Sequence, residues 1–199
     1  KNFHYIIKRF DRYQEFRYKQ YDFGQLLNIP SSKKYDPSSD EVFQKANEVL
    51  KDKSSKLELL RFYFYSYIIQ HSDLHVKNIA ILNIGKEKFT LSPLYDVISL
   101  GVIKGKDIDD LALTIGRVHK TQKSKFTLED FLYLADLLKL NHLEVKKELG
   151  NILTIFIERF PTYIEKTKEL FTYDELLISK NRHKNTNLIS KLQSFYDER

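Results

Sequence analysis

Between Ser54 and Gln70 the chain carries a helix with very little polar face. Leu57, Leu60, Phe64 and Ile68 follow one line of the helical period, and Leu59, Tyr63 and Tyr67 follow another. Phe62 and Tyr65 widen the apolar surface further. A helix that is apolar round most of its circumference has to be wrapped by other elements, so the rest of the chain is expected to be built around it. A membrane span is excluded: Glu58 and Arg61 interrupt this stretch, and no apolar run approaches the ~18 residues that a span needs. The 199 residues, 42% of them hydrophobic and 14% aromatic, are enough to enclose such a helix in a core. Lys1 to Arg12 lack the apolar region of a secretory signal.

The remaining elements are shorter. His4 to Ile7 reads as a strand at the domain edge, and Tyr21 to Asn28 as a short helix stopped ahead of Pro30. Ile29 to Asp40 is rich in Pro and Ser and reads as a surface loop, with Ser39 or Asp40 capping a helix that runs to about Lys51. Ile79–Asn83 and Lys88–Ser92 form a hairpin turning through Gly85. Gly101 to Lys106 is expected to be a loop, followed by apolar Leu111–Ile115 and a basic stretch from Arg117 to Lys125. Thr127 caps a helix over Leu128–Leu140, and Asn141 opens another that runs toward Pro161. A last amphipathic helix is expected within Tyr173–Tyr196. With no internal repeat, low-complexity tract or long linker, residues 1–199 read as one mainly α domain with a small β-hairpin.

Composition removes several kinds of chemistry. No cysteine is present, which excludes disulfides, thiolate zinc sites, iron–sulfur clusters and cysteine nucleophiles, and which suits a reducing cytoplasm. The 33 basic and 27 acidic residues leave +6, enough for a basic face but short of a DNA-coating protein. The chain opens on Lys1 and has no methionine, so it is expected to be a piece of something longer.

The chemical signal lies on either side of the hairpin. His71-Ser72-Asp73-Leu74-His75-Val76-Lys77-Asn78 precedes it, and Leu91-Ser92-Pro93-Leu94-Tyr95-Asp96 closes it. Phosphoryl transfer needs a carboxylate for the hydroxyl proton, oxygen ligands for magnesium and a cation against the developing charge. An Asp-x-x-x-x-Asn loop, a hairpin and a second Asp can deliver those oxygens from two neighbouring turns, with Lys77 as the cation. An Asp and an Asn five residues apart are common on their own, whereas the ordered set is far more specific. Asp73 or Asp96 alone could equally be a turn-closing aspartate. The spacing of His71 and His75 also suits zinc on a helix, but these residues fall in a loop with no third ligand, so zinc is set aside. The aromatic group Phe62 to Tyr67 is read as core rather than as a base-stacking platform.

Arg9-Phe10-Asp11-Arg12, Ile29-Pro30-Ser31-Ser32-Lys33-Lys34-Tyr35, Asp73 to Asn78, Leu91 to Ser99 and Leu111 to Gly116 together resemble the HipA toxins, serine/threonine kinases of bacterial toxin–antitoxin systems. The resemblance runs in order from Phe3 to about Pro161. It implies the protein-kinase-like helical C-lobe, with ATP and Mg2+ as cofactors. Asp73 would be the catalytic base and Lys77 its neighbouring cation. Asn78 and Asp96 would hold magnesium, while Tyr95, His75 and Lys77 would lie near the phosphates. Lys8, Arg9 and Phe10 would be a hinge strand presenting backbone to adenine, although family members usually carry an acidic residue where this chain has Lys8.

The resemblance also implies partners: an aminoacyl-tRNA synthetase as substrate, a HipB-like DNA-binding antitoxin, and a possible DNA contact through Arg117 to Lys125. The family's N-lobe supplies the phosphate-covering loop, its autophosphorylated serine and a nucleotide-gripping lysine. This sequence has no counterpart of it, so the expectation is a C-lobe separated by truncation, proteolysis or gene splitting. The alternative is a non-catalytic or split-kinase subunit that binds an antitoxin or a separate N-lobe. A different phosphotransferase of the wider kinase-like class would share the same three residues.

Overall fold

The computed structural model describes residues 6–104, 111–116, 126–171, 177–181 and 184–199. Among these the chain forms seven α-helices and seven short strands in three separate sheets. Helix α3 (Lys53–Ile68) follows α1 (Phe23–Leu26) and α2 (Ser39–Val49), and it is the enclosed helix expected from the sequence. Asp52 caps it, earlier than Ser54, by accepting from the backbone N–H of Ser55 at 2.7 Å. Leu59, Leu60 and Tyr63 are fully buried there, and Phe43 of α2 meets the Tyr63 ring edge-on at 4.7 Å. Phe131, from α5 (Leu128–Leu137), packs edge-on to Phe64 at 5.0 Å. Ser38, one residue before the expected cap, opens α2 through a capping box with Glu41.

The expected hairpin is present as β4 (Ala80–Asn83) and β5 (Phe89–Leu91), but β4 is the middle strand of three. Its other partner is β3 (Lys19–Asp22), paired Gln20 to Leu82 and Asp22 to Ala80. The helix expected from Tyr21 therefore begins only at Phe23. Lys-Gln-Tyr-Asp carries no alternating apolar pattern, so only the ladder with β4 fixes it as a strand. His4 and Tyr5 lie outside the described residues, and Ile6 to Phe10 form no strand. The chain bends at Phe10 and Asp11, where the Arg9 guanidinium reaches two residues on to Asp11, at 2.7 and 2.5 Å. The first ladder is instead the small hairpin of β1 (Arg12–Tyr13) and β2 (Phe16–Arg17).

Three corrections fall in the second half. The expected loop from Gly101 is a helix as far as it is described, α4 (Leu100–Lys104). Its glycine is there for contact: a Cβ would lie 2.0 Å from Gln70 Oε1, 2.9 Å from Gln70 Cβ and 2.8 Å from Phe195 Cε2. Gly101→Ala is expected to cost about 1–3 kcal/mol as an overpacked site, read as a lower melting temperature. An unchanged melting temperature would contradict that packing.

Helix α6 (His142–Leu170) does not stop at Pro161 but runs through it. Proline has no N–H for the carbonyl of Ile157, and the Tyr196 hydroxyl donates to that carbonyl instead, at 3.0 Å.

In place of one long helix from Tyr173, the described residues form β6 (Leu177–Asn181), β7 (Lys184–Asn187) and then α7 (Leu188–Glu198). Asn187, accepting from Ile189 N at 2.7 Å, caps α7 and marks where the helix can begin. Arg199 ties α7 back to α3: it donates to the carbonyls of Ile68, at 3.0 Å, and Tyr67, and lies over the Tyr67 ring. The end of α3 is thereby fixed where the next loop starts. The basic stretch Arg117–Lys125 lies outside the described residues.

Candidate functional site

The loop after α3 is two tight turns in succession. Leu74 N donates to His71 O at 3.0 Å, and Asn78 N to His75 O at 2.9 Å. Leu74 and Val76 are fully buried and anchor the loop in the core. Asp73 and Lys77, which flank the buried run from Leu74 to Val76, remain half-exposed. This arrangement lets a tightly held backbone present polar groups. Gln70 and Asp96, at either end of the site, sit in the left-handed region with φ of 50° and 54°. Residues other than glycine take up that conformation mainly where the surroundings impose it.

Asn78 joins the two halves of the site. Its Nδ2 donates to Asp96 Oδ2 at 2.8 Å, and its Oδ1 accepts the backbone N–H of His75 at 3.3 Å. Asn78 is buried whereas Asp96 is exposed, so the pair faces outward from a fixed base. Both are oxygen donors of the kind that magnesium takes. Among the described residues no group of three or more His, Cys, Asp or Glu side chains could hold a metal. A metal at Asn78 and Asp96 would thus draw its other ligands from water or phosphate. That is the habit of magnesium, so the residues fit that ion.

Around this pair the remaining expected residues form a chain of contacts. The Tyr95 hydroxyl donates to the Lys77 carbonyl at 2.7 Å, and the Tyr95 ring lies 5.8 Å from that of Phe10. Burial, with Asp22 and Asp96 nearby, holds the Tyr95 hydroxyl well above its usual pKa, so it stays a donor. Lys77 Nζ pairs with Asp22 Oδ2 at 3.0 Å. Asp22 also caps α1, which locks the start of that helix to the loop. Lys8 and Arg9 stand apart: both are exposed, and Arg9 is engaged by Asp11. Of the expected hinge residues, only Phe10 has a described contact with the site.

Two buried histidines sit behind the loop. Burial lowers the pKa of His71, while the carboxylates of Asp73 and Asp96 pull the other way. His75 is lowered by burial and by Lys34, against the same two carboxylates. Asp73 and Asp96, 23 positions apart, thus both favour the charged form of each ring, against its burial.

The sequence reading assigned no role to Tyr35 or Asp22. The Tyr35 hydroxyl donates to Asp73 Oδ1, and its ring stands edge-on to His75 at 5.1 Å. Tyr35 lies within one of the segments that resemble the HipA family, which was the one available signal. Asp22 gave none, because its partner Lys77 is 55 positions away.

Fold and site together define an α-rich domain in which a small antiparallel sheet holds an Asp–Asn–Asp–Lys polar cluster at its end. The HipA-like C-terminal domain model matches residues 1–163, and the chain belongs to that family. The protein named Putative kinase Y4dM, from Sinorhizobium fredii (strain NBRC 101917 / NGR234), is 29% identical over 169 residues, which is 82% of this chain and 38% of that protein. The fold is similar to a chain in the Shewanella oneidensis MR-1 toxin–antitoxin complex of HipA, HipB and operator DNA. The TM-score is 0.66 at 16% identity, over 96% of this chain and 46% of that one. The chain therefore spans less than half the length of these relatives.

Proposed function

We propose that this chain is the magnesium- and ATP-binding lobe of a HipA-like serine/threonine protein kinase. The observation that carries the reading is the 2.8 Å bond joining Asn78 of the Asp73–Asn78 loop to Asp96 beyond the hairpin. It brings two residues that can offer oxygen to a metal together across the hairpin, beside the loop that carries Asp73, which supports the order that phosphoryl transfer requires. Asp73 accepts the proton of the attacking seryl hydroxyl as that oxygen bonds to the γ-phosphorus of ATP, and ADP leaves. Asn78 and Asp96 would hold magnesium, which supplies positive charge to the nucleotide phosphates. Lys77, oriented by Asp22, adds a cation beside them, and Tyr95 steadies the loop through the Lys77 carbonyl.

Family resemblance supplies the rest of the proposal: an aminoacyl-tRNA synthetase as the protein substrate, and a HipB-like DNA-binding antitoxin as partner. The test is transfer of labelled γ-phosphate to a protein serine by the complete protein that contains this chain. Transfer that needs magnesium and stops on chelation supports the reading. Absence of any transfer, with the complete protein folded and nucleotide present, contradicts it.

A further inference from the structure

We propose that Tyr35 is a positioning residue for Asp73, holding the carboxylate so that one oxygen faces the incoming hydroxyl. The proposal rests on the kinase reading above. Tyr35 reaches the site from 38 positions upstream, on the turn that follows Pro30, in a stretch that looks from its sequence like a plain surface loop. Its hydroxyl donates to Asp73 Oδ1, which leaves Oδ2 as the oxygen available to take a proton. A base limited to one orientation loses less entropy on the way to the transition state than one free to rotate.

The delivery of Tyr35 is itself well determined. The carbonyl of the preceding residue, Lys34, accepts the backbone N–H of Val76 at 3.3 Å, so the turn and the catalytic loop are tied main chain to main chain. The ring is held between the edge contact to His75 and the Lys34 ammonium, 4.9 Å from its centroid. Partial burial and the Asp73 carboxylate raise the Tyr35 pKa to about 12, so the hydroxyl remains a donor across the physiological range. His71, His75 and Lys34 are the other titratable or charged groups whose fields meet here: both histidines feel Asp73, and Lys34 acts on His75.

Tyr35→Phe removes the donor while keeping the ring that packs on His75. In the complete protein it is expected to lower kcat by about 10- to 100-fold, the weight of one hydrogen bond to a charged group, with KM for ATP unchanged. The melting temperature should stay near that of the parent.

Three results would overturn the inference alone, given a parent that transfers phosphate and an inactive Asp73→Asn. One is a Tyr35→Phe variant with parental kcat. Another is an increased kcat, since Tyr35 would then be covering Asp73. The third is a loss of kcat matched by a raised KM and a fall in melting temperature, which is the mark of a merely structural residue. A parent without transfer, or full activity in Asp73→Asn, would instead remove the kinase reading and this inference with it.

Discussion

Asp73→Asn in the complete protein is expected to reduce phosphoryl transfer by about 10²–10⁴-fold, the range contributed by a positioned general base. Nucleotide binding and melting temperature should change little. The reason lies in the burial pattern of the loop: Leu74 and Val76 hold the backbone in the core, while Asp73 is half-exposed and adds no packed volume. Asparagine is nearly isosteric and can still accept the Tyr35 hydroxyl through its Oδ1, so the loop keeps its shape while its proton acceptor is lost. Equal transfer rates for parent and variant would remove Asp73 from the role of base.

Asn78→Ala should act on both stability and metal binding. Asn78 is buried, and its amide satisfies the His75 N–H and the Asp96 carboxylate at once. Removing it leaves a buried donor unpaired, at a cost of about 1–3 kcal/mol, and frees Asp96 from its fixed orientation. The magnesium concentration for half-maximal transfer should rise by about 10–100-fold or more. Asn78→Asp separates the two effects. It keeps an oxygen ligand but sets a like charge against Asp96, so the variant should melt lower without metal and recover when magnesium is added. If magnesium restored neither variant's nor the parent's thermal stability in any degree, Asn78 and Asp96 would not be a metal pair.

How much of this could be read from the sequence depended on where each signal lay. The enclosed helix was readable to within a residue or two because Leu59, Leu60 and Tyr63 repeat at the helical period and nothing elsewhere had to be known. The hairpin β4–β5 was readable from its own turn through Gly85, which has φ of 108°. The ordered residues Asp73, Asn78 and Asp96 were legible as a set, and two of them are directly bonded.

What stayed hidden was decided by contacts far away in the chain. Lys19–Asp22 is a strand only because Ala80–Asn83 lies beside it. Gly101 looked like a loop former, whereas it is a helical residue kept small by Gln70 and Phe195. Pro161 looked like a stop, yet α6 continues through it, with the orphaned Ile157 carbonyl taken up by Tyr196, 39 residues beyond Ile157. Tyr35 and Asp22 enter the site in the same manner, each through a side chain more than 35 positions from its partner.

The most direct test of the central claim is titration of ATP with magnesium into this 199-residue chain, alongside its Asp96→Ala variant. Asp96 is exposed, so its replacement removes no core volume, and a melting curve of the variant, which loses the bond to Asn78, confirms that it is folded before the titration. The account predicts magnesium-dependent binding of ATP to the parent and its loss in Asp96→Ala. Binding of the same strength in both chains, or binding indifferent to magnesium, would contradict a metal–nucleotide site built on Asn78 and Asp96.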